Sequence, residues 1–242
     1  AEVFHALKEV LKERGLNTNV GDEGGFSPTL DSNEDAFKAI LEAIEKAGFK
    51  PGEDIVLGID AAADQFTEGD KYELKKDGLS LSSGELIDLY EKWIGMYPIA
   101  IIEDGLNEHD GDNWAVMTER LGGKTQIVGD DLIVTNPKIL KQAIEKKWAN
   151  AVLVKVNQIG SVTETVQAVQ MAKAAGWNAV ISHRSGETED TTISDLVVGL
   201  GTGQIKTGSM SRSERTSKYN QLLRIEEELK GNALFAGNVF KK

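Results

Sequence analysis

An α/β fold of parallel strands alternating with helices, arranged as a TIM-type barrel, is predicted by three observations. Six short apolar runs each stop on a charged residue or a histidine: IVLGID at Asp60, IAIIED at Glu103–Asp104, QIVGDD at Asp130–Asp131, AVLVK at Lys155, AVISH at His183 and GQIK at Lys206. Runs of this length, mostly β-branched and bounded by Gly or Asn, read as strands buried on both faces. The stops lie 23 to 43 residues apart, each close to one strand-helix unit. The segments between them mostly place apolar residues at helical spacing. In an α/β barrel the C-terminal strand ends share one mouth, so the six stops are expected to converge there.

The elements follow in order. Ala1–Arg14 sets Val3, Phe4, Leu7, Val10 and Leu11 on one helical face, ended by Gly15. After the loop GDEGGFSP, a helix from Ser32 carries Phe37, Ile40, Leu41, Ile44 and Ala47 and stops at Gly48. The stretch FTEGDKYELKKDGLSLS alternates and is punctuated by glycine, as a surface hairpin would be. Helices are expected from Ser83, near Trp114–Leu121, and from Asn136 with Pro137 in the first turn. Ser161 and Glu164 form a capping-box pattern for the next, and a helix over Thr191–Leu200 and a long one near Ser213–Leu229 complete the series.

Eight helices against six strands fit neither a doubly wound sheet nor a closed eight-unit barrel. An eight-stranded barrel whose first two strands precede residue 1 accounts for the count, and makes the chain one truncated barrel domain over residues 1–242. An open six-stranded sheet would instead leave two unpaired edges.

Composition narrows the function. Hydrophobic residues at 40% and charged residues at 27% exclude disorder, and no apolar run reaches the roughly 18 residues of a membrane span. A net charge of −12 argues against nucleic acid as a partner. With no cysteine there are neither disulfides nor thiolate metal sites, which suits a cytoplasmic protein.

Asp60, Glu103 and Asp130 end consecutive strands and could supply hard oxygens around one point, which favours Mg2+ or Mn2+ over zinc. Taken singly, each could be a solvated terminus or a helix cap. Lys155 directly follows VLV, where partial desolvation and nearby cations favour the neutral amine and suit a base. The plainer alternative is a salt-bridged lysine holding one of the strand-end carboxylates. Glu23 sits among Gly21, Gly24 and Gly25, which allow close backbone approach to a ligand, unless the loop is merely a turn. His183-Arg184-Ser185-Gly186 offers a planar cation, a hydroxyl and a glycine before a helix, suited to phosphate or carboxylate, or only to a capping turn. His5 and His109 read as surface residues. GGKT at Gly122–Thr125 and GLGTG at Gly199–Gly203 lack the order that nucleotide loops require.

Taken together, GDEGGF, IEDGL, GDDL, KVNQIG, SHRSGETED, GQIKTG and SRSERTSKYNQLLRIEEEL resemble the enolase family over essentially the whole chain. The resemblance implies a ββαα(βα)6 barrel, with two strands and a smaller N-terminal domain ahead of Ala1. It implies dehydration of 2-phosphoglycerate to phosphoenolpyruvate in glycolysis by a phosphopyruvate hydratase. Asp60, Glu103 and Asp130 would hold the first of two Mg2+ ions, Lys155 would remove the α proton, and Glu23 would help the C3 hydroxyl leave. Lys206 would bind the substrate carboxylate, Arg184 and Ser185 its phosphate, and His183 would line the site. The family's other acid-side glutamate, a loop histidine and a serine lid belong to the portion ahead of Ala1, so these 242 residues alone are expected to be weakly active or inactive. A homo-oligomer is expected of the complete enzyme. A noncatalytic scaffold role is the alternative, with surface plasminogen binding through Lys241–Lys242 and a cell-surface or secreted location beside the cytoplasmic one.

Overall fold

The computed structural model describes residues 1–237 and 239, and the chain divides into two compact units. The first comprises Ala1–Gly21 and Phe26–Ile127, the second Asp22–Gly25 and the chain from Val128 onward.

The first unit opens with α1 (Glu2–Glu13) and α2 (Glu34–Lys46). Ala6 and Val10 pack on Ala43, and Lys46 bridges to Glu13 at 2.6 Å. Strand β1 (Leu57–Asp60) leads to a three-stranded antiparallel excursion, β2 (Thr67–Glu68), β3 (Lys71–Leu74) and β4 (Leu79–Leu81). This is the expected surface hairpin with one strand more. The Asn107 amide donates to the Tyr72 hydroxyl at 2.9 Å and so ties β3 down. Helix α3 (Ser83–Met96) begins with a complete capping box between Ser82 and Glu85. Phe37 of α2 meets Trp93 of α3 edge to face, with centroids 5.2 Å apart. Strand β5 (Ile99–Glu103) pairs parallel with β1, placing Glu103 opposite Asp60. Helix α4 (Gly111–Leu121) seats Trp114 and Met117 in the core, and β6 (Gln126–Gly129) then carries the chain into the second unit.

There α5 (Pro137–Lys146), capped by Asn136, is followed by β7 (Ala151–Val154), α6 (Val156–Ile159), α7 (Val162–Ala174), β8 (Asn178–Ser182), α8 (Thr192–Gly199), β9 (Ile205–Lys206) and α9 (Ser213–Leu229). Strands β6 to β9 are parallel neighbours in that order. All four residues of β7 are buried, and α7 supplies Ala168, Val169 and Ala172 to the core. Such apolar runs are what a parallel sheet covered on both faces demands. The short helix α6, which the sequence does not announce, forms as Gln158 and Ile159 bond back to the Lys155 carbonyl. Among the described residues no helix is long and apolar enough to cross a membrane.

Leu153→Ala, at a fully buried position of β7, is expected to cost about 2–5 kcal/mol. Urea unfolding should show the midpoint falling with the slope unchanged.

Candidate active site

In the first unit, Asp60 is exposed at the end of β1 and Glu103 is buried at the end of β5, at matched register on neighbouring strands. The remaining sequence-predicted residues fall in the second unit, in two groups.

The first group is built on β6 and β7. Lys155 Nζ donates to Asp130 Oδ2, with the two side chains only 16% and 9% exposed. The salt-bridged arrangement considered for Lys155 is thus present. Burial raises the Asp130 carboxyl above its ordinary range, and the opposing pull of Lys155 does not offset it. A buried carboxylate offers hard oxygen ligands of the kind a divalent cation such as Mg2+ takes.

Thr135, which the sequence analysis does not single out, fixes the lysine. Its buried Oγ1 accepts the Lys155 amide at 2.9 Å and approaches Gln158 Oε1 at 3.1 Å. Val134 and Thr135 both hold positive φ, +49° and +57°. That geometry costs a β-branched residue on the order of 1–3 kcal/mol. The only sequence signal for it is the polar side chain two residues before a proline.

The second group joins the 22–25 loop to the turns after β8 and β9. Glu23 Oε2 lies 3.3 Å from His183 Nε2, a close polar contact whose direction does not make a hydrogen bond. Ser185 Oγ donates to Glu23 Oε1 at 3.3 Å. His183, with Lys206 and Ser185 assisting, holds the Glu23 carboxyl down at about 2 against the opposing effect of burial. Lys206 acts electrostatically on both Glu23 and Asp130, so its field reaches both groups. Arg184 turns its guanidinium to Asn157 Oδ1 at 3.3 Å, and its amide donates to Glu187 Oε1 at 3.2 Å.

Two glycines make the loop contact feasible. Gly24, at φ +81°, would bring a Cβ to 2.5 Å from the Ser211 carbonyl, and Gly208, at φ +86°, would bring one to 2.6 Å from the Glu23 carbonyl. Ser209 donates its amide to Glu23 O at 2.8 Å, and Ser211 Oγ donates to Gly24 O at 2.7 Å.

A family model described as enolase, C-terminal TIM barrel domain, matches residues 1–242. The chain belongs to the enolase family. Its fold class is therefore the TIM-type α/β barrel expected from the strand pattern, and an enolase-like lyase with a small-molecule substrate is supported at the family level. Within this enolase domain, the sequence-predicted residues that meet in the second unit are Asp130 with Lys155, and Glu23 with His183 and Ser185. His5 and His109 are exposed, as expected of surface residues. Lys241 and Lys242, on which the plasminogen alternative rests, lie outside the described residues.

The depressed Glu23 carboxyl carries a pH signature. Its stabilising contacts are complete above the unfolded value of 4.5 and vanish as pH falls towards 2. The stability difference between wild type and Glu23→Gln should therefore be constant from pH 7 to 5 and shrink steadily below 4. Urea titrations at pH 6, 4 and 3 would measure it.

Proposed function

We propose that this domain is the catalytic barrel of a phosphopyruvate hydratase, removing water from 2-phosphoglycerate in glycolysis. The observation that carries the reading is the pairing of a strand-end lysine with a buried carboxylate in the same unit as a carboxylate held by a histidine and a serine. That combination supplies a base and an acid partner, the two functions an elimination needs.

On this reading Lys155 takes the proton α to the substrate carboxylate. It can do so only as the neutral amine, released from Asp130 and relieved of its own proton, and Thr135, bonded to its amide, keeps its backbone in place meanwhile. Lys206 binds the substrate carboxylate, while Arg184 and Ser185 bind the phosphate, planar fork and hydroxyl both suiting phosphate oxygens. Residues Asp60, Glu103 and Asp130 are the proposed Mg2+ ligands, on the family resemblance and on their oxygen-only chemistry. Bound Mg2+ would offset the negative charge that develops on the substrate carboxylate as the α proton leaves.

Glu23 is ionised at neutral pH in this state and so has no proton to give to the C3 hydroxyl. An anionic substrate beside it disfavours the carboxylate and raises its pKa, which brings Glu23 towards the protonated form when it is needed.

Lys155→Ala in the complete enzyme should abolish exchange of the substrate α proton with solvent, followed by NMR in deuterated buffer with Mg2+. Exchange at the wild-type rate would remove Lys155 as the base. In a panel of phosphorylated and unphosphorylated hydroxy acids, 2-phosphoglycerate should be the one dehydrated, and turnover of the others in its place would sink the assignment.

A further inference from the structure

Helix α9 presents two cations that are completely buried, Arg215 and Lys218, one turn apart. A charged side chain at 0% exposure is rare and costly unless its surroundings compensate. Arg215 Nη1 reaches His183 Nδ1 at 2.5 Å and the Arg184 carbonyl at 2.8 Å. Its Nη2 reaches the Asp22 carbonyl at 3.0 Å and the Ser185 carbonyl at 2.7 Å. Among the described residues, none of these four acceptors is a carboxylate. The guanidinium is held by the loops it joins. Lys218 Nζ meets Glu187 Oε2 at 2.7 Å and donates to the Glu214 carbonyl at 2.6 Å, and Glu187 in turn accepts the Arg184 amide.

A guanidinium can only donate hydrogen bonds. Nδ1 of His183 must therefore accept, which leaves the ring hydrogen on Nε2, the nitrogen 3.3 Å from Glu23. From this geometry we infer that Arg215 is a positioning residue of the site, fixing His183 as its Nε2–H tautomer and pinning the Glu23 loop against the 183–185 turn without touching substrate. Lys218 anchors the far end of the same turn. The inference rests on the reading of Glu23 and His183 as active-site groups for its catalytic consequence, but not for its structural content.

The chain holds three histidines, His5, His109 and His183, so ring-nitrogen NMR of the uniformly labelled protein resolves the question directly. In wild type, His183 should show a protonated Nε2 and a hydrogen-bonded, unprotonated Nδ1, and a spectrum with the hydrogen on Nδ1 overturns the inference. In R215M, with folding verified by circular dichroism, the His183 tautomers should mix, and Glu23 should titrate nearer the ordinary carboxylate range as its loop loosens. Unchanged His183 and Glu23 signals in the folded variant also overturn it.

If R215M does not fold, R215K carries the same test. A lysine's one nitrogen cannot replace Nη1 on His183 and the Arg184 carbonyl and also Nη2 on the Asp22 and Ser185 carbonyls, so either the His183 tautomers must mix or Glu23 must titrate above its wild-type value, and both unchanged counts against the inference. In the complete enzyme R215K should lower kcat by about 10- to 100-fold, the scale seen when outer partners of ligand groups are removed, with a smaller change in KM. A complete enzyme that dehydrates no 2-phosphoglycerate, while His183 shows the expected tautomer, would defeat the proposed reaction and leave the role of Arg215 standing.

Discussion

The buried contact between Asp130 and Lys155 sets the terms for much of the second unit. Two strands end side by side with opposite charges where water is largely excluded. An isolated charge at such a depth is costly, and removing one partner of a buried pair typically costs about 3–5 kcal/mol. Apolar residues of similar volume would often be as stable or more so, so the pair is better explained by position than by stability. It also explains why the backbone tolerates strain at Val134 and Thr135. The turn that produces those positive φ values delivers the hydroxyl that holds the Lys155 amide.

The other carboxylate lies in the opposite electrostatic situation. Asp130 is pushed towards its neutral form by burial, whereas Glu23 is held ionised by His183, Lys206 and Ser185. Environments that drive two acids apart in this way are typical of sites that run acid and base chemistry together. The overall charge of −12 gives no hint of it, because the cations are concentrated locally in Arg184, Lys206, Arg215 and Lys218. Backbone packing matters as much as charge. At Gly24 and Gly208 the loops approach so closely that a methyl group would have to displace main chain.

The strand ends were legible because burial on both faces writes itself as a continuous apolar run, and each run ends where a polar residue first appears. Helix boundaries were legible where caps are local, as at Asn136 and Ser161, and the helix expected near Ser213–Leu229 lies there. The four-residue α6 escaped, since one turn has no period to detect. Arg215 and Lys218 escaped for another reason. They lie on a helix whose remaining sequence is mostly polar, and nothing local distinguishes a buried cation from a solvated one. Their burial is decided by loops up to 193 residues away in sequence, as the contact from Arg215 to the Asp22 carbonyl demonstrates. The convergence of Glu23 with Ser185 spans 162 residues and was likewise expected only from the resemblance, not from local pattern.

The antiparallel excursion between β1 and α3 lends itself to a practical use. Its base is fixed through Tyr72, while the tips at Gly69 and Gly78 face open space, with no atom within 4 Å of where a side chain would begin. Turns of this kind accept inserted sequence readily. A fluorophore or affinity handle grafted at either tip would report on the domain from the first unit, while the Lys155 and Glu23 groups belong to the second.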